Sequence, residues 1–112
     1  MASAMEPVPG ELAVLVSKVH SAALRSDYKT LRDSMDKEFA WSFGGDGDVE
    51  QALSEWKKDP KYLRSLAKVT RAKCGWIDGS VYQCPAKASL EYRAGFRQVG
   101  DRWKMVYFVA GD

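Results

Sequence analysis

The residues able to do chemistry in this chain are few and far apart. His20 is the only histidine. It follows Val16 by four residues, so it stands beside the apolar stripe of whatever helix carries it. An imidazole there can act as base, acid or ligand. No second His or Cys lies near it in sequence, which favours a boundary histidine with an ordinary hydrogen bond over a metal ligand. Tyr92 and Tyr107 are phenols that could donate a proton or position a substrate for it. Asp46, Asp48 and Glu50 alternate in a glycine-rich loop, which invites calcium. The EF-hand pattern fails there, because position six is Gln51 and position twelve is Lys57. A tight turn with Asp48 as helix N-cap and Gln51 closing a capping box accounts for the same residues. The glycines lie in no strand–GxxxxGK[ST]–helix frame, so they are no phosphate loop. No cofactor and no metal are expected.

Cys74 and Cys84 are the two cysteines. They form either a disulfide, as in exported proteins, or a pair of reduced thiols in a cytosolic domain. A two-residue turn at Asp78-Gly79 sets Cys74 opposite Gln83, one residue off. A longer loop, or Cys74 on a helix end, is needed for it to meet Cys84. The disulfide is the expected state, with a periplasmic or secreted location; reduced thiols would mean a cytoplasmic one. The MASAM start could stand where a leader was removed.

These groups must be held by a small scaffold. A chain of 112 residues is one domain with one core. A hydrophobic content of 46% and a charged content of 29% are those of an ordinary globular chain. A net charge of +2 is too weak to imply nucleic acid. No apolar run reaches the roughly 18 residues of a membrane span.

Residues 1–10 read as a flexible tail and 11–112 as the domain. Leu12, Leu15, Val16, Val19 and Ala23 recur at helical spacing over 11–25. Ser26-Asp27 caps a second helix over 28–36, and Phe39, Trp41 and Phe43 alternate as a strand facing a core. A third helix covers 49–58 with Trp56 inward. Asp59-Pro60 restarts a fourth over 60–73, which Gly75 caps. The basic residues dotted along that region read as a solvated face. Trp76-Ile77 and Val81-Tyr82 flank the Asp78-Gly79 turn, and Pro85 ends the second strand.

The last stretch is the most patterned. Tyr92–Val99 and Arg102–Val109 flank Gly100-Asp101. A two-residue turn there pairs residues whose numbers sum to about 201. One face then carries Ala94, Phe96, Gln98, Trp103, Met105 and Tyr107, with Trp103 as a core anchor. The other carries Arg93, Gly95, Arg97, Val99, Arg102, Lys104, Val106 and Phe108. Apolar and basic groups together on a face that should meet water suggest a protein interface, with Arg93, Arg97, Lys104, Val106 and Phe108 as its residues. The alternative is that another strand or the tail covers Val106 and Phe108.

Asp27-Tyr28-Lys29-Thr30-Leu31, Glu38-Phe39-Ala40-Trp41 and Phe96-x-x-x-Gly100-x-x-Trp103-Lys104-Met105 resemble elements of the NTF2-like superfamily, in particular its small bacterial SnoaL-like members. The resemblance covers about residues 11–110. It implies an α+β cone, with N-terminal helices packed on a curved antiparallel sheet and a pocket at the wide end. Enzymes of that group place an Asp/His or Asp/Tyr constellation in the pocket. Here no acid lies on the inner hairpin face, and Glu91 is nearest. Trp41, Phe43, Trp56, Phe96, Trp103 and Tyr107 could fill the space instead.

Three functions follow. One is a non-catalytic binding or accessory domain that is exported and recognises a protein partner or an apolar ligand. The second is a SnoaL-like isomerase or cyclase with His20 as base and Tyr92 or Tyr107 as donor. The third is an inhibitor or immunity-type protein. A small-molecule site is expected near His20, Trp41 and Tyr107. A homodimer or an acidic protein is expected on the outer sheet face.

Overall fold

The computed structural model describes residues 8–41, 49–87 and 92–110. Helix α1 (Gly10–Arg25) buries Leu12, Leu15, Val19, Ala22 and Ala23 on one stripe. It begins inside the stretch read as tail. Asp27 caps α2 (Tyr28–Ser34): its carboxylate accepts from the Thr30 backbone N–H and hydroxyl, and these bonds hold it below the usual carboxylate range.

Strand β1 (Met35–Trp41) starts earlier than the aromatic alternation suggests and cuts α2 short. It runs parallel to the last strand, pairing Met35 with Met105 and Ala40 with Tyr107. Between these pairs the register shifts, so the strand is irregular across Asp36-Lys37-Glu38. Helix α3 (Val49–Lys58) buries Leu53 and Trp56. Glu50 is exposed and bonds Arg32 through Nε at 2.6 Å and Nη2 at 3.0 Å. Asp46, Asp48, Phe43 and Glu91 lie outside the described residues, as does the side chain of Trp41.

Helix α4 (Lys61–Arg71) starts where Asp59 accepts from the Lys61 N–H, and Pro60 takes a helical φ of −64°. It ends at Arg71, with Ala72 extended. Gly75, which the sequence places as its cap, therefore does not cap it and instead opens β2 (Gly75–Trp76). β2 pairs with β3 (Val81–Cys84) around a three-residue loop, Asp78-Gly79-Ser80, closed by Ile77 N–H to Val81 O at 2.9 Å. The Asp78 carboxylate accepts from Ser80 and Val81 backbone N–H groups and from the Ser80 hydroxyl, and Gly79 takes φ +88°. This one extra loop residue brings Cys74 opposite Cys84 instead of Gln83. Their Cα atoms are 4.2 Å apart and the sulfurs are bonded.

The bond ties the end of α4 to β3, and Ala86 N–H donates to Lys73 O beside it. Replacing both cysteines with alanine is expected to cost about 2–3 kcal/mol for so short a loop in the chain-entropy model. Urea unfolding measures it, and a non-reduced mass spectrum showing two alkylatable thiols would remove the bond itself.

Strands β4 (Arg93–Val99) and β5 (Arg102–Val109) complete the five-stranded curved sheet, ordered β1-β5-β4-β3-β2. Near the turn the expected register holds: Val99 faces Arg102, and Phe96 faces Met105. Beyond it Gly95 faces Tyr107 and Ala94 faces Phe108. Val106 is an extra residue in β5, a bulge, and a bulge inverts the faces that follow it. The four helices pack on the face carrying Phe96, Met105 and Phe108.

Candidate functional site

The bulge decides which aromatic enters the core. Phe108 was expected outside; it has no exposed surface. It meets Trp56 edge-on at 5.5 Å and stacks on Tyr92 at 4.9 Å. Trp56 also meets Phe39 edge-on at 6.0 Å. Trp56, Phe39, Phe96 and Phe108 are each 2% exposed or less. Among the described residues, these aromatic rings occupy the middle of the space between sheet and helices, where a catalytic chamber would lie. Trp103 faces inward as expected but is half-buried near the hairpin tip, with its ring 6.0 Å from Trp76. It is not the central anchor; Trp56 is.

Tyr107 was expected inside, near His20; it lies on the outer face. Its ring crosses Gly95, where an added Cβ would sit 2.2 Å from two ring atoms. Its hydroxyl donates to Gln83 Oε1. Gln83 Nε2 gives its hydrogens to the carbonyls of Pro85 and Ala86, so the amide orientation is set. Burial pushes the Tyr107 phenol up, with Arg93 opposing, so it is a donor at neutral pH. Tyr92 is raised by burial too. A Gly95→Ala variant is expected to expel the Tyr107 ring and lose about 1–3 kcal/mol by stranding Gln83. A urea titration beside Tyr107→Phe, which keeps the ring, checks this; equal stability of Gly95→Ala and the parent would contradict it.

His20 joins two helices. Its Nδ1 is 2.9 Å from Ala67 O and 3.1 Å from Thr70 Oγ1. A carbonyl only accepts, so Nδ1 carries hydrogen and donates. Thr70 directs its own hydroxyl at the Leu66 and Ala67 carbonyls. His20 is thus a boundary histidine whose Nε2 remains to meet something else. It lines a cleft of about 330 Å³ with Ala13, Val16 and Ser17 of α1. Val8, Thr70, Arg71 and Tyr82 complete its lining. The structure therefore does not bring His20 and Tyr107 together. No local pattern marks Ser17, Thr70, Arg71 and Tyr82, since only the packing of α1 on α4 and β3 assembles them. A larger hollow of about 700 Å³ lies on the other side of α1, where Glu11 and Asp101 sit with Lys18 and Arg102 and the charges offset one another. Among the described residues, no three His, Cys, Asp or Glu side chains cluster to hold a metal ion. None of the described helices is long and apolar enough to cross a membrane.

The outer face is built from β3, β4 and β5. Arg93, Arg97, Arg102 and Lys104 all point to it, by register with Val109, Val81 and Val99. Arg97 and Arg102 are exposed, and Lys104 donates to Asp33 O at 2.6 Å. Val81, Val99, Val106, Tyr107 and Val109 are half-buried beside them. None of these three strands contains an acidic residue.

An NTF-2 like protein of unknown function from Shewanella oneidensis MR-1 shares this architecture. Its TM-score is 0.54 over 91% of this chain and 97% of that one, at 13% identity. The fold is NTF2-like. An NTF2-like protein with a cystatin-like fold from Novosphingobium aromaticivorans agrees, with a TM-score of 0.51 over 88% of this chain and 77% of the other, at 12% identity. No family model and no curated protein matches the sequence. Identities this low speak for the NTF2-like fold alone, and function must be argued from the surfaces.

Proposed function

We propose that this NTF2-like domain is a non-catalytic binding or accessory domain that recognises an acidic protein surface through the outer face of β3, β4 and β5. The observation that carries this reading is the composition of that face: every charge on its three strands is positive, and the cations surround half-buried valines and Tyr107. Interfaces combine an apolar centre with arginines, and a rim of one sign steers an opposite partner. Phe108 is withdrawn from the surface expected from sequence, because it is core; Arg93, Arg97, Lys104 and Val106 remain. Self-pairing through this face would set like charges against each other, so a heterologous partner is favoured over a second copy. The filled interior weighs against the isomerase or cyclase reading. A Cys74–Cys84 bond supports an oxidising compartment, hence export.

The test is to isolate partners from the native source with the immobilised domain, then compare association rates of the parent and an Arg97→Glu/Arg102→Glu variant. The double charge reversal is expected to slow association at least about tenfold at low salt and to leave melting unchanged, since both side chains are exposed. A rate insensitive to both salt and charge reversal would reject the face. Concentration-dependent dimers that the double variant abolishes would replace the acidic partner by a second copy.

A further inference from the structure

We propose that the cleft beside His20 binds a small carboxylic acid with an apolar body. Three observations converge. The cleft is about 330 Å³, at the lower end of small-molecule sites. Its walls are apolar where α1 presents Ala13 and Val16, and aromatic where β3 presents Tyr82. Among the described residues its charge is of one sign, since Arg71 lines it and no carboxylate does.

The hydrogen-bonding groups narrow the choice further. His20 spends its Nδ1 hydrogen on Ala67 O, which leaves Nε2 for a ligand. Thr70 spends its hydroxyl hydrogen on α4 carbonyls and offers no donor. Ser17 and Tyr82 supply neutral hydroxyls on the same lining. Among the described residues Arg71 makes no ion pair. A guanidinium with no carboxylate of its own is a donor pair for a carboxylate and a poor partner for an amine. The apolar walls would hold the remainder of the molecule. The site lies on the helix-bearing side of the sheet, away from the basic outer face, so it stands or falls independently of the partner proposed above.

Octanoate, with 1-octanol as its neutral counterpart, provides the probe. Trp76, whose ring centroid is 5.2 Å from that of Tyr82, gives a fluorescence signal beside the site. Octanoate is expected to saturate at one equivalent, bind at least tenfold tighter than octanol, and shift the His20 imidazole resonances. Arg71→Gln is expected to erase that preference without lowering the melting temperature, because Arg71 is exposed. Arg97→Glu/Arg102→Glu should bind octanoate as the parent does. Equal binding of octanol and octanoate would overturn the carboxylate assignment. Failure to saturate, unmoved His20 resonances, or an unaltered preference in Arg71→Gln would overturn the site.

Discussion

A Phe108→Glu chain is expected not to reach the native fold. Phe108 has no exposed surface and is enclosed by Trp56 at 5.5 Å and Tyr92 at 4.9 Å. A carboxylate placed there has no partner among these rings. Burying an unpaired charge costs several kcal/mol even after the group neutralises, and the lost aromatic packing adds about 3–5 kcal/mol. Together these approach the whole stability of a small domain, about 5–15 kcal/mol. Circular dichroism and an amide NMR spectrum should show an unfolded or collapsed chain. A folded Phe108→Glu protein melting near the parent would place residue 108 outside and remove the bulge at Val106.

Trp56→Ala is expected to fold but to lose about 3–5 kcal/mol, the range for large buried aromatics. The ring is 1% exposed and forms edge-on contacts with both Phe39 and Phe108, so one truncation opens the junction of α3, β1 and β5. At roughly 4 °C per kcal/mol for a domain of this size, the melting temperature should fall by about 12–20 °C. Trp103→Ala should cost less, because that ring is only half-buried at the hairpin tip. If Trp103→Ala proved the more damaging of the two, the centre of the core would lie elsewhere than at Trp56. Small apolar molecules that restore the stability of Trp56→Ala would further show that the interior is a filled chamber.

The helices were legible because their signals are local. The Leu12–Ala23 stripe, the Asp27 carboxylate on Thr30 and the Asp59-Pro60 restart each act within a few residues, and each appears where its chemistry places it. The Gly100 turn belongs with them: φ of +66° suits glycine, and the register beside it follows from turn length. The disulfide was legible as a pair, but its register depended on Ser80 joining the loop, which the Asp78 carboxylate brings about by capping Ser80 and Val81.

The candidate site was less legible. His20 was visible as a boundary residue, yet its companions Thr70, Arg71 and Tyr82 lie about 50 or more positions away in the chain and meet it only when α1 lies on α4. Tyr107 and Phe108 show the limit most clearly. Adjacent aromatics satisfy a period-two pattern in either phase, so alternation alone cannot say which faces the helices. The sequence by itself determined the helices, the Asp27 cap, the Gly100 turn and a cysteine pair in reach of each other, because those depend on neighbours a few bonds away. The tertiary structure decided that Val106 bulges, that Phe108 enters to meet Trp56, and that Tyr107 lies across the open backbone of Gly95 to reach Gln83. The reason is physical: a bulge is chosen by which ring fits which space, and those spaces are made by α3, β1 and β3, segments distant in the chain.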